Sequence, residues 1–377
     1  MRHALIYLFP LAFDIIVSVS LFAGRHSLAE RGLDTGTVGS ILTMYGIGYI
    51  VASLLMGKII RPAAARFQMI AAVVLTAIVL IAIANSGRVR VIQGFFLVLP
   101  LTCSFFFNAY QSFMLGFDSN AGKSLTRTAA HYTGAWSIGF ALGPFAASFV
   151  KKNLDWPSAY YTAAGIALCI GLAALFFRAP AQTEKPAVPK SLVEAPRKSF
   201  AIAAWIGTLT GWTALNMIFI YWPVQAEALG LDVRMKGLVE FCFAIAQALF
   251  AFSLAGMPAA YYYSLRLPFA GVFGIVAALF FAFAGGPAGF IIGALIFGLY
   301  AAHILNAMIY HSMVEKEKAV RRVAINEVTV GLSFMLASPI ANGLHSLFPA
   351  FTGSYLAVAG FIAAGVLLQW LVFRGLR

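Results

Sequence analysis

The stretch RAPAQTEKPAVPKSLVEAPRKS, from Arg178 to Ser199, is the longest polar run in the chain, and almost everything on either side of it is apolar over membrane-length distances. Four prolines, five Lys or Arg and two Glu leave it no apolar face to bury and no unbroken backbone ladder, so it reads as a solvated linker. It divides the 377 residues nearly in half. Working outward, a helix needs about 20 mostly apolar residues to cross the hydrocarbon core. That rule predicts six spans before the linker, at 5–24, 37–56, 68–85, 91–114, 128–150 and 158–177. Six more follow it, at 200–222, 235–255, 267–285, 287–310, 323–344 and 353–373. Runs such as AAVVLTAIVLIAIA lack the alternation of a barrel strand, which excludes the other spanning architecture. The expected fold class is an all-α integral membrane protein, its twelve transmembrane helices arranged in two pseudo-symmetric six-helix bundles. The bundles are residues 1–178 and 200–377, joined by the linker 179–199.

Composition agrees. Hydrophobic residues make up 61% and charged residues 10% of the chain, against roughly half and about 25% in soluble domains. The net charge of +13 is scattered singly or in pairs between apolar runs, so membrane orientation explains it and nucleic acid binding does not. With the N-terminus inside, 18 of the 26 Lys and Arg fall on the cytoplasmic side, which predicts both termini and the linker in the cytoplasm. The first apolar run is too long for a signal peptide, contains Asp14 and is followed at once by a second, so it reads as an uncleaved first helix. Cys103, Cys169 and Cys242 each stand alone inside apolar runs, implying neither disulfides nor a metal site. A membrane enzyme would show clustered His and Asp, an Asp-rich metal motif or a nucleotide loop, and none is present; no catalytic residue, cofactor or metal is expected.

The halves repeat each other. Shifted by 195, RTAAHYTGAWSIGFALGP (Arg127 to Pro144) lies on RVAINEVTVGLSFMLASP (Arg322 to Pro339), aligning His131 with Asn326. The same shift maps Asn108 and Gln111 onto His303 and Asn306, and Tyr160 onto Tyr355. A shift of 198 maps Gly32-Leu33-Asp34 onto Gly230-Leu231-Asp232. Parallel repeats of this kind, with binding at their interface, are a transporter signature.

Over its whole length the chain resembles the major facilitator superfamily. Gly139, Gly143 and Pro144 resemble the GxxxGP of that family's fifth helix, with Ala147 and Ser148 in place of the closing Gly-Gly. DIIVSVSLF from Asp14, with Tyr45 and Gly57, is similar to the first two helices of drug-exporting members. The loop GKIIRPAAAR, from Gly57 to Arg66, departs from the family pattern by carrying Arg61 where an Asp usually stands. The resemblance implies alternating access by rocking of the halves, and a central cavity lined by helices one, four, seven and ten.

Candidate residues follow from polarity inside the spans. Asp14 lies about ten residues into the first span, near its middle, where a carboxyl can exchange one proton as the cavity alternates. His303, Glu240 and Glu327 are further proton-coupling candidates, although Glu327, one turn inside its span near Arg322, reads first as part of a local ion pair or snorkelling arrangement and otherwise as part of a cytoplasmic gate. Asn108 and Gln111, and His303 and Asn306, share helix faces at i, i+3 spacing and offer donors and acceptors. With Tyr110, Trp212 and Asn216 they form the candidate substrate site. No Lys or Arg falls near the middle of a predicted span, which disfavours multi-anionic solutes. Gly139, Gly143, Pro144 and Pro339 are expected along the seam between the halves. The expected function is proton-coupled export of a hydrophobic or amphiphilic compound by an antiporter. Its alternative is a symporter or facilitator taking up a neutral organic solute, and a membrane-embedded sensor or enzyme is the remote one. The expected partners are a small-molecule substrate, protons and the bilayer, for a monomer in a bacterial inner membrane.

Overall fold

The computed structural model describes residues 5–120, 125–177, 198–254, 263, 265–313 and 316–375. The linker falls outside these residues apart from Lys198 and Ser199, with which a helix opens. The described chain forms twelve long helices: α1 (Leu8–Glu30), α2 (Thr35–Ile59), α3 (Ala65–Ala84), α4 (Val89–Asn120), α5 (Leu125–Asn153), α6 (Trp156–Phe176), α7 (Lys198–Ala228), α8 (Val233–Leu254), α9 (Arg266–Phe283), α10 (Pro287–Met313), α11 (Lys316–Leu347) and α12 (Phe351–Gly375). Each covers one predicted span. Apolar residues on every side of a helix, rather than on one stripe, suit an element bounded by protein on one face and lipid on the other. Leu54, Phe67, Leu172, Phe176, Phe269 and Phe283 stand more than half exposed on the outer surface, a load of apolar area that only a bilayer accommodates.

The ends of the helices are set by local chemistry. After α1, Gly32 takes φ +74° and Leu33 N–H reaches back to the carbonyl of Leu28; after α7, Gly230 takes φ +64° and Leu231 N–H reaches back to Ala226. These are paired Schellman turns, which need a residue free to adopt the left-handed region. In each the next residue but one is an aspartate that starts the following helix. Asp34 accepts from Thr37 N–H at 2.9 Å and Asp232 from Arg234 N–H at 2.9 Å. Those hydrogen bonds hold the Asp34 carboxyl below its usual range. The duplication read from Gly-Leu-Asp is therefore a duplication of structure.

Packing repeats as well. Within the first half α1 packs on α5 and α6, α2 on α4, and α3 on α4 and α6. Within the second, α7 packs on α11 and α12, α8 on α10, and α9 on α10 and α12. The halves meet mainly through α2 against α11 and α5 against α8. We call the end at which α1 begins and α12 finishes the termini end, and the opposite one the far end.

Among the described residues eleven of the twelve helices are long and apolar enough to cross a membrane; α11 is the exception. Its first turns carry KEKAVRR and its body carries Asn326, Glu327, Ser333, Ser338 and Asn342. It tolerates them because it is wedged among α2, α7 and α10 rather than bathed in lipid.

Candidate functional site

A cavity of about 220 Å³ lies between the halves, walled by α1, α2, α4, α5, α7, α10 and α11. From the first half come Asp14, Tyr45, Tyr49, Gln111, Tyr132 and Trp136; from the second come Trp212, Met308, Asn326, Glu327 and Phe334. Leu21 contributes toward the far end.

Asp14 reaches the wall because α1 and α5 approach closely beside it. At Gly139 a Cβ would stand 2.0 Å from the carbonyl oxygen of Leu11 and 3.0 Å from Asp14 Cβ, so only glycine permits the contact. Ser18 Oγ donates to the Asp14 carbonyl at 2.6 Å, and Asp14 Oδ2 is buried with no hydrogen-bond partner among the described residues. The first helix runs on to Glu30, past the predicted end at 24, so its middle is Val19 and Asp14 lies roughly 7 Å to the termini side of it.

Glu327 accepts a hydrogen bond from the hydroxyl of Tyr49, a contact from α11 of one half to α2 of the other. This corrects the first reading of Glu327, an ion pair near Arg322: Arg322 Nη1 donates to the His311 carbonyl. Gln111 Nε2 donates to Tyr132 Oη at 3.4 Å. Asn326 is anchored by its own half, its amide oxygen accepting from Trp205 Nε1 at 2.8 Å and Ser312 Oγ at 2.7 Å. Trp136 and Trp212 face each other across the halves with ring centroids 6.4 Å apart, and Trp212 meets Phe334 edge-on at 6.0 Å.

Of the predicted site residues, Asp14, Gln111, Trp212 and Glu327 share this cavity, and the rest stand elsewhere. Asn108 Nδ2 bonds back to the Ser104 carbonyl, and Asn306 Nδ2 to Ala302 on its own helix. Tyr110 is buried behind the wall, its hydroxyl on the carbonyl of Ile6. His303 Nδ1 donates to the Leu299 carbonyl and its ring lies between Phe250 and Phe273. Asn216 is buried on α7 one turn beyond Trp212, outside the lining, with Nδ2 lacking a partner among the described residues. In each self-bonded amide the helix's own i−4 carbonyl outcompetes the cavity.

The seam expectation is corrected for three of its four residues, Gly139, Gly143 and Pro339. Gly139 and Gly143 do not lie between the halves: they seat α5 on α1 within the first half, Gly143 against Ser18 and Val19. Pro144 does lie between the halves, its carbonyl 2.7 Å from where a Cβ on Gly237 would sit, whereas Pro339 is exposed on the outer face of α11. The glycines that bring the halves together are others. Gly46 comes up to the backbone of Met335 and Gly331, and Gly237 sits on Pro144 and Ser148.

Sequence reasoning missed a charged cluster near the far end. Arg25, expected in a loop, is 2% exposed inside α1. It donates from Nη2 to Glu240 Oε2 at 2.8 Å and from Nη1 to the Phe219 carbonyl at 2.7 Å, while His26 Nε2 meets Glu240 Oε1 at 3.2 Å. Glu240 is thus placed in an ion pair away from the cavity wall. The signal was the absence of Gly, Pro, Asn or Asp between Gly24 and Gly32. Above the cluster Lys152 bridges to Asp232 at 2.6 Å across the halves.

Two duplicated six-helix halves that enclose a polar and aromatic cavity between them define a secondary transporter of a small organic solute. Residues 5–316 match the Major Facilitator Superfamily, and the chain belongs to that family. It is accordingly a transporter and not an enzyme. Among solved structures the chain is similar to the crystal structure of the nucleoside transporter NupG, at 14% identity and a TM-score of 0.74, with 99% of each chain covered. A point mutant of that transporter gives 14% identity and a TM-score of 0.76 over 98% of this chain and 99% of the other. No curated protein sequence matches. The expectation of an effluxing antiporter is corrected by this likeness, which is to a transporter named for nucleosides and not to an exporter.

Proposed function

We propose that the chain takes up a small neutral organic solute together with a proton, holding both in the cavity and alternating access by rocking residues 1–178 against 200–377. The observation that carries this reading is the make-up of the wall. One carboxyl comes from each half, Asp14 and Glu327, with the amides of Gln111 and Asn326 and eight aromatic rings, and no Lys or Arg is among the lining residues. Without a cation an anionic solute lacks its partner, whereas amides offer both donors and acceptors and rings stack flat solutes. Two carboxyls that pair with no cation among the described residues give a proton two places to sit. A solute with a flat ring and a hydroxylated edge suits such a wall, and the likeness to a nucleoside transporter supports testing nucleosides first. The excess of Lys and Arg at the termini end supports cytoplasmic termini in a bacterial inner membrane. The carrier works as a monomer in this reading, since each chain holds a complete cavity.

The test is purified protein in proteoliposomes with an internal pH-sensitive dye, offered nucleosides, neutral sugars, amides and lipophilic cations in turn. The expected result is solute entry with proton entry for one neutral class, and loss of the proton signal in Asp14→Asn. Solute entry with no proton movement in either protein would overturn the coupling, and transport of lipophilic cations alone would overturn the substrate class.

A further inference from the structure

We infer that Arg25 and Glu240 form the gate of the transport cycle at the far end: their pairing holds that end shut, and its rupture is the event that opens the cavity there. The inference goes beyond the uptake reading and rests only on alternating access.

The geometry points to it in three ways. Arg25 belongs to α1 of the first half, yet its two terminal nitrogens are spent on the second half, on Glu240 of α8 and the backbone carbonyl of Phe219 on α7. Its guanidinium also lies 4.8 Å from the centroid of the Phe219 ring. One guanidinium therefore ties three helices across the line on which the halves must part.

The position is the second argument. Arg25 Nε donates to the carbonyl of Leu21, which itself lines the cavity, so the pair sits one helical turn beyond the wall toward the far end. Third, the pair is closed to water: Arg25, His26 and Glu240 are 2%, 0% and 1% exposed. Both carboxylate oxygens are occupied, Oε2 by Arg25 and Oε1 by His26, so Glu240 is held in the orientation that receives the guanidinium. A buried charge that loses its partner is left uncompensated, whereas in the conformer open at this end both groups meet water. Removing either partner alone thus penalises the closed conformer selectively. Lys152–Asp232 also crosses the halves, but its side chains are 47% and 39% exposed, and solvated pairs of that kind contribute little.

The gate is read by labelling rather than by flux, which separates its failure from failure of the uptake reading. With Cys103, Cys169 and Cys242 replaced, Leu21→Cys places a thiol in the wall beneath the pair. A membrane-impermeant maleimide applied from the far side to sealed proteoliposomes reports whether that end is open. Glu240→Gln and Arg25→Ala are expected to raise the labelling rate by about tenfold or more. Combining Arg25→Glu with Glu240→Arg should return it toward the parent rate. Arg25→Lys, which keeps the charge but not the two-pronged reach, should fall between and keeps the test alive if Arg25→Ala does not fold. Folded Glu240→Gln and Arg25→Lys proteins that label at the parent rate would overturn the proposal, as would a charge-swapped pair that labels as fast as the single variants.

Discussion

Gly139→Ala tests how Asp14 is placed. The new methyl would stand 2.0 Å from the Leu11 carbonyl oxygen and 3.0 Å from Asp14 Cβ. Ordinary carbon–oxygen contact begins at about 3.3 Å, so α1 and α5 must part locally by more than about 1 Å. Overpacking of this kind costs about 1–3 kcal/mol, and alanine's better helix propensity offsets at most ~1 kcal/mol of it. A net loss of about 1–2 kcal/mol is expected, with Asp14 displaced from the wall. Gly165→Ala is the internal control, since nothing lies within 4 Å of a Cβ there; the propensity gain stands alone and its stability should match or exceed the parent. The assay is thermal unfolding in detergent beside proton-linked uptake in proteoliposomes. Gly139→Ala should unfold earlier and lose proton coupling more than solute exchange. If it is as stable and as well coupled as the parent, the close α1–α5 contact does not set the position of Asp14.

Further predictions concern the contacts across the halves and the repeated turns. Tyr49→Phe deprives Glu327 of its donor from α2, which should cost about 1–3 kcal/mol in the conformer described here and slow gradient-driven uptake more than equilibrium exchange, as paired flux assays would show. Gly32→Ala and Gly230→Ala each force an L-residue into the left-handed region and should destabilise by about 1–2 kcal/mol, nearly equally, in thermal unfolding. At the far end, Lys152 and the backbone of Arg234 hold the Asp232 carboxyl at about 2, below its ordinary 3.8. A depressed value means that its contribution is complete above the ordinary value and lost as pH falls through about 2. Asp232→Asn should therefore lower stability alike at about pH 7 and pH 5, by less than ~1 kcal/mol because the pair is solvated; a strong difference between the two would refute the assignment.

The twelve helices were legible because each span falls within the range of lengths that lipid demands, and the duplication was legible because its turns need particular residues. Gly-Leu-Asp recurs where a left-handed glycine and a capping aspartate are both required. The site was legible only in part. Asp14, Gln111, Trp212 and Glu327 are polar or amphipathic residues inside apolar runs, a signal that survives without coordinates. Asn108, His303 and Asn306 carry the same signal, yet their side chains turn to carbonyls of their own helices, and no spacing rule separates the two outcomes. Arg25 was missed because a charge next to an apolar run resembles the start of a loop, whereas its partners lie 194 and 215 residues away. Tyr49 and Glu327 meet across 278 residues.

The polarity of α11 has a consequence for how the molecule is made. A segment that carries more polar side chains than its neighbours is better accommodated against protein than against lipid. The protein surface here is α2, synthesised nearly three hundred residues earlier, whose Gly46 face admits the α11 backbone. The packing of α11 in the second half is thus expected to be completed only by the first. If the two halves were produced as separate chains, the first would hold its place in the bilayer, while the second would keep α11 at the interface until they met.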